Sequence, residues 1–273
     1  MALLRRYMHE GTDFGFVALR EPEGRIHIVE LCEETRKVKG LGVLNPATLL
    51  GGVNTGQTVQ IGSKELVVLP LRLPELVQGM KRRAQTISAK DAGLFITKLG
   101  IGGADTVLEA GLGSGGLALH LARVLGAAGR LISVETREEH AEVGMENLQR
   151  AHVAWGEDFP EHHLLIGDVC EQIEIAATEF GGFDAIILDL PEHSPAIEAA
   201  SPHLNIGGRI ACYCPVSSQL EAAWESCESA GLTVEWAGEL MIREWGKATR
   251  GGMRPVNGPF GHTAFLLVAQ KIQ

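Results

Sequence analysis

"TVLEAGLGSGGLALHLARVLG", residues 106–126, decides how the rest of the chain is read. "TVLEA" is an apolar, β-branched run of strand type. Three glycines follow at Gly111, Gly113 and Gly116, and "LALHLARVL" then repeats apolar residues at helical spacing. Glycine lets the backbone turn sharply and lets a ligand approach the main chain closely. The helix that follows opens on unpaired N–H groups, with Ser114, Gly115, Gly116 and Leu117 at the turn. The unit reads as a strand, a ligand-binding loop and a helix.

Outward from it, the rhythm after residue 105 is strand, helix, strand. The patterning predicts strands at 106–110, 130–135, 163–167, 184–189 and 207–213, with two more near 232–237 and 263–269. It predicts helices near 116–126, 138–150, 170–179, 194–204 and 217–230. Such alternation calls for an α/β fold: a Rossmann-like parallel sheet with helices on both faces. Upstream, "RIHIVEL" (25–31), "TVQIG" (58–62) and "ELVVLPL" (65–71) are short alternating runs split by Gly, Asn and Pro. The expected organisation is a small β-rich domain over 1–80, a helical connector over 81–104 and a ligand-binding domain over 105–273.

Spacing of the GxGxxG type serves dinucleotides and S-adenosylmethionine alike, so neighbouring acids arbitrate. Glu109 precedes Gly111 by two residues, an awkward place for a negative charge beside a pyrophosphate but acceptable beside a cationic ligand. Glu135 ends the second strand, 24 residues after Gly111, where a carboxylate can accept from both ribose hydroxyls under either reading. Asp168, followed by Val169, ends the third strand in "HLLIGDV" and could accept from an adenine amino group. Acids at three successive strand ends favour S-adenosylmethionine over NAD.

The totals bound the partners. Among 273 residues, 45% are hydrophobic and 34 are glycine, and no apolar run is long enough for a membrane span. "MALLRRYMHEGTDFG" lacks the apolar core of a signal peptide. Five cysteines without a CxxC pair read as small apolar residues of a reducing, cytoplasmic compartment, and no metal-ligand spacing is present. Net charge is −10, yet residues 1–90 hold 13 Lys/Arg against 9 Asp/Glu, whereas 91–273 hold 11 against 25. A basic surface acts locally, so the total does not exclude a nucleic acid.

Joined to "MKRRAQTISAKDAG" (80–93) and "RPVNGPFGHTAFLLVAQK" (254–271), these motifs resemble the tRNA (adenine-N1)-methyltransferases, which modify the T-loop adenine at position 58. The resemblance spans nearly the whole chain and rests on "AQ…KDA", "LEAGLGSG", "SVETREEH", "DLP" after the fourth strand and "RP…GHTAFL". It implies a cytoplasmic homotetramer that binds tRNA across subunits and uses S-adenosylmethionine. It also implies cofactor contacts from Gln85, Ser114, Gly115, Gly116, Leu117, Glu135, Asp168 and Asp189, with His140 near the adenosine. Asp189, in "FDAIILDLP", is assigned the catalytic role: a carboxylate on the adenine N6 amino group would stabilise the positive charge that methylation places on the ring.

RNA contacts are expected from Lys81, Arg82, Arg83 and Lys90, and from Arg243, Lys247, Arg250 and Arg254 in a glycine-bearing loop. Two positions depart from the family. Ser88-Ala89 stands where Tyr-Pro is common before the lysine, and Ser194 stands near a common tryptophan, which removes two stacking surfaces for a base. The alternatives are a non-catalytic RNA-binding or assembly subunit, or a methyltransferase of this fold with another substrate. His193 is expected to be an exposed loop residue, and His162 and His163 surface residues at a strand start.

Overall fold

The short N-terminal runs cannot bury two faces, so they pair with one another. The structure is a computed structural model that describes residues 15–249, 251–256 and 261–273, so the leader reading of 1–14 lies outside the described residues. Strands β1 (Phe16–Arg20) and β2 (Ile26–Glu30) form a hairpin. A smaller hairpin, β3 (Arg36–Val38) and β4 (Gly42–Leu44), precedes the short helix α1 (Pro46–Leu50), whose first turn is capped by Asn45. Strands β5 (Thr58–Ile61) and β6 (Lys64–Pro70) complete an antiparallel sheet in the order β2-β1-β6-β5. One face alternates inward and buries Leu19, Val29, Val59, Ile61, Leu66 and Val68 under Leu44 and Leu50. The predicted runs are β2, β5 and β6. β1 and the β3–β4 hairpin have too little alternation to be seen without their partners.

Helices α2 (Leu73–Gly79) and α3 (Ala89–Leu99) lead into β7 (Thr106–Ala110), α4 (Gly116–Leu125), β8 (Arg130–Glu135), α5 (Glu138–Trp155), β9 (Glu161–Ile166), α6 (Val169–Phe180), β10 (Phe183–Leu188), α7 (Ser194–Ala200), β11 (Leu204–Cys214) and α8 (Ser217–Ser229). Then come β12 (Thr233–Gly238), a hairpin of β13 (Trp245–Lys247) and β14 (Met253–Pro255), and β15 (Phe265–Gln270). Seven strands form one sheet in the order β12-β15-β11-β10-β7-β8-β9. The sheet is mostly but not wholly parallel, which corrects the expectation: β15 runs antiparallel to both β11 and β12. A parallel neighbour needs a crossover over the sheet face. Between β12 and β15 the described chain makes only the β13–β14 hairpin, so it re-enters in the opposite direction.

Successive residues of the central strands feed two cores. Val107, Leu131, Ala185 and Ile187 pack with Phe95, Leu121 and Leu148 on one face. Leu108, Ile132, Ile186 and Ile210 pack with Ile173, Ile197 and Cys227 on the other. All five cysteines are free, and four are buried. Among the described residues no helix is long and apolar enough to cross a membrane. From β7 the chain builds β8 and β9 on one side and then returns to β10 on the other, so the sheet has its switch point between β7 and β10. Open α/β sheets bind ligands at such a point, beyond the carboxyl ends of the strands.

Candidate active site

At the switch point the ends of β7 and β10 are stitched together. Asp189 N–H donates to Ala110 C=O at 2.5 Å, and Gly111 N–H donates back to Asp189 C=O at 3.4 Å. The loop then turns through Gly113 (φ +56°) and Gly115 (φ +77°), conformations that L side chains rarely adopt. Gly115 is also pressed on α5, where an added Cβ would lie 3.1 Å from Gly144 C=O. A Cβ on Gly116 would meet the Thr86 side chain at 2.7 Å. The glycines therefore serve close packing of the loop between α5 and the 81–86 segment as well as the turn itself.

That segment is a strap across the loop. Ser114 Oγ accepts from the N–H groups of Arg83 and Ala84, both at 3.0 Å. Asn147, fully buried on α5, donates to Lys81 C=O at 2.8 Å and Ser114 C=O at 2.9 Å, and accepts from Lys81 N–H at 3.0 Å. The Ser114 hydroxyl is thus engaged by the strap. Neither Asn147 nor Gly144 was singled out from sequence. The available signal was Asn147's place on the buried stripe of α5 with Gly144, Leu148 and Ala151.

Three carboxyl groups converge below the loop. Glu135 is 3% exposed; its Oε2 accepts from Gly113 N–H at 2.8 Å and its Oε1 from Arg137 N–H at 3.1 Å. Oε1 is also approached by Arg137 Nε at 3.4 Å and Thr136 Oγ1 at 3.5 Å, whereas Oε2, with Gly113 as its one partner among the described residues, keeps a lone pair for a ligand hydroxyl. Glu109 is buried within β7, with Oε1 accepting from Ser133 Oγ at 2.6 Å and Oε2 without a partner. Burial, reinforced by the charges of Asp189 and Glu135, pushes its carboxyl up to about 8. Asp189 accepts no side-chain hydrogen bond among the described residues, and burial followed by repulsion from Glu135 raises it to about 6. With Glu109 kept neutral by burial near neutrality, the negative charge there belongs to Glu135 and to Asp189 once it is ionised, and that charge would repel a pyrophosphate and attract a cation. His140, in the first turn of α5, also holds a buried Nδ1 without a partner. Asp168 is exposed and caps α6 through Cys170 N–H at 2.8 Å, while Val169 and Leu117 are buried beside the strand ends and Gln85 is exposed.

The basic residues are distributed differently from their expected roles. Lys90 is turned inward: its Nζ donates to buried Asp91 at 2.6 Å and to Thr263 at 2.7 Å, so it has internal partners instead of a solvent-facing charge. Ser88 Oγ donates to the same Asp91 at 2.9 Å. Lys81 pairs with Glu146, whereas Arg82 and Arg83 are exposed on the strap. Lys247 and Arg254 lie exposed on the β13–β14 hairpin with Arg243 just before it, and Arg250 lies outside the described residues.

Two histidines, His193 and His162, differ from expectation, whereas His163 stays at the surface near the start of β9. His193 is 3% exposed, because the turn after β10 folds inward, and its ring nitrogens face the backbone of Leu188 and Tyr213 without forming a well-aligned hydrogen bond. His162 Nε2 lies 3.0 Å from Ser133 Oγ, continuing the chain from Glu109, and burial pushes it down to about 3. His163 packs on Phe180 and meets Glu161 at 2.8 Å. Ser194 opens α7 and accepts from Ser226 Oγ at 2.7 Å.

Comparison with known proteins gives this geometry a lineage. Residues 67–250 match the family described as "tRNA methyltransferase complex GCD14 subunit". The tRNA (adenine(57)-N(1)/adenine(58)-N(1))-methyltransferase TrmI of Methanocaldococcus jannaschii is 31% identical, over 72% of this chain and 75% of that protein. The tRNA (adenine(58)-N(1))-methyltransferase TrmI of Thermus thermophilus is 32% identical, over 76% and 78%. In fold, the chain is similar to an S-adenosylmethionine-dependent O-methyltransferase of Thermotoga maritima, with TM-score 0.76 and 23% identity over 99% and 96% of the two chains. It is also similar to the tRNA (m1A58) methyltransferase TrmI of Aquifex aeolicus, with TM-score 0.69 and 22% identity over 97% and 100%. A family match over more than half of its length, and an archaeal relative above 30% identity, make the chain a member of the tRNA (adenine-N1)-methyltransferases of the GCD14 family.

Proposed function

We propose that the protein methylates N1 of adenine 58 in the T-loop of tRNA, with S-adenosylmethionine as the methyl donor. The observation that carries this reading is Asp189: a half-buried carboxylate, anchored through its backbone to the glycine loop and without a side-chain partner. The cofactor supplies a methyl group on a cationic sulfur, open to attack by a lone pair. Adenine N1 has that lone pair, so no base must first remove a proton. Asp189 accepts from the N6 amino group and stabilises the charge that the ring acquires. Glu135 orients the ribose hydroxyls, Asp168 and Val169 border the adenine, and His140 donates or accepts through its unpartnered Nδ1. Gln85 closes the strap side, and the loop from Gly111 to Leu117 aligns the donor with the base.

Arg82, Arg83, Lys81, Arg243, Lys247 and Arg254 hold the RNA by its phosphates. The reading includes a homotetramer in the cytoplasm, with a β-rich domain over 1–80, a connector over 81–104 and the catalytic domain over 105–273. The test is methyl transfer from labelled S-adenosylmethionine to unmodified tRNA, followed by nucleoside analysis. N1-methyladenosine confined to the T-loop is expected. Bound cofactor with no transfer to tRNA would overturn the reading and favour another substrate, in keeping with Ser88 and Ser194 presenting no aromatic face.

A further inference from the structure

A cleft of about 1210 Å³ separates the N-terminal sheet from α5 and the strap. It exceeds the roughly 300–1,000 Å³ of ordinary small-molecule pockets, and its charge is opposite to that of the chain. Arg25, Arg36, Lys37 and Lys39 line it from the β-domain side. Lys81, Arg82 and Arg83 line it from the strap, and Arg150 lines it from α5. Against these eight cations stand two acids, Glu30 and Glu146. Both are engaged: Glu30 pairs with Arg36 at 2.7 Å, and Glu146 pairs with Arg150 at 2.8 Å and with Lys81. Arg25, Lys37, Lys39, Arg82 and Arg83 have no acidic partner within 4.0 Å among the described residues.

We infer that this cleft binds the phosphate backbone of the RNA substrate, away from the reacting base; the inference rests on the tRNA reading above and extends it to the β-domain. Unpaired like charges gathered in one concavity repel one another, and a polyanion relieves that repulsion while releasing its own counterions. The strap connects the cleft to the chemistry. Its residues Lys81 to Arg83 line the cleft, and the N–H groups of Arg83 and Ala84 hold Ser114 of the glycine loop. RNA seated in the cleft is thereby registered against the cofactor loop through one short stretch of backbone.

The test is the triple variant Arg25→Gln, Lys37→Gln, Lys39→Gln, three exposed side chains of the β-domain. Binding of unmodified tRNA to the full chain is measured from about 50 to 200 mM salt. The slope of log affinity against log salt should fall in magnitude by about 2 to 3, with affinity at low salt reduced roughly tenfold or more. In methylation assays the loss should fall more on KM for tRNA than on kcat, because phosphate contacts position the RNA and do not touch the reacting atoms. Lys37→Glu alone must also weaken binding, which guards against misfolding of the triple variant. If the parent binds and methylates tRNA and the variants bind it with unchanged affinity and slope, the cleft proposal fails while the enzymatic reading stands. The same holds if only the oligomeric state changes, which would assign the cleft to the acidic surface of a second copy. A parent that does not bind tRNA overturns both.

Discussion

Glu109→Gln separates a buried charge from a buried shape. Glu109 sits in the centre of the sheet with Ser133 as its one hydrogen-bond partner among the described residues. Its carboxyl is raised from 4.5 to about 8, first by burial and then by Asp189 and Glu135. The sign follows directly. Between these values the folded protein keeps a proton that the unfolded chain releases, so stability is full below about 4.5 and is lost as pH rises through about 8. At about 1.4 kcal/mol per pH unit, ionising this group in the folded state costs up to about 5 kcal/mol. Glutamine keeps the acceptor for Ser133 and leaves its amide as poorly partnered as Oε2 was, a cost independent of pH. Urea unfolding at pH 5 and pH 8.5 should therefore show the parent losing about 4 kcal/mol more than Glu109→Gln over that interval, the part of the total that lies between those two pH values. Parallel stability curves for the two proteins would refute the claim that Glu109 is protonated in the folded state near neutrality.

Asp189→Ala should lower methyl transfer by about 10²–10³-fold while cofactor affinity, read by calorimetry, changes far less; equal losses would refute the division of roles. Since Asp189 is raised to about 6 and acts ionised, kcat/KM should climb through about pH 6, and Asp189→Asn should lack that limb. Asn147→Ala removes the partner of two strap groups, Lys81 N–H and C=O, and of Ser114 C=O in the loop, and should cost about 2–3 kcal/mol, together with weaker cofactor binding. A variant as stable as the parent would mean that the strap is not held there. Gly115→Ala meets both a left-handed backbone and Gly144 C=O, and should lower stability by about 1–2 kcal/mol, against no effect if the loop simply relaxes.

The loop, the strand ends and the carboxylates were legible because each depends on local order. "TVLEA" is β7 at the residues expected, and Glu135 and Asp189 end or follow the strands predicted for them. Helix α5 runs to Trp155, past the predicted 150, because His152 and Trp155 pack on Phe159, a partner outside the helix's own periodicity. The direction of β15 was hidden because periodicity has no sign: an alternating run reads the same in a parallel or an antiparallel pair. Lys90 and His193 show the same limit at single residues. A lysine in a polar stretch and a histidine in a loop look solvent-facing until the fold brings Asp91 and Thr263 to one and closes a turn over the other.

Periodicity and glycine placement are properties of neighbours in the chain, so the Rossmann-like architecture, the ligand loop and its acids could be read from residue order alone. Burial and charge balance are properties of neighbours in space. That Glu109 keeps a proton, that Asn147 ties the strap to the loop, and that cations from residues 25–39, 81–83 and 150 face one cleft all depend on distances between segments far apart in sequence. Only the folded chain sets those distances.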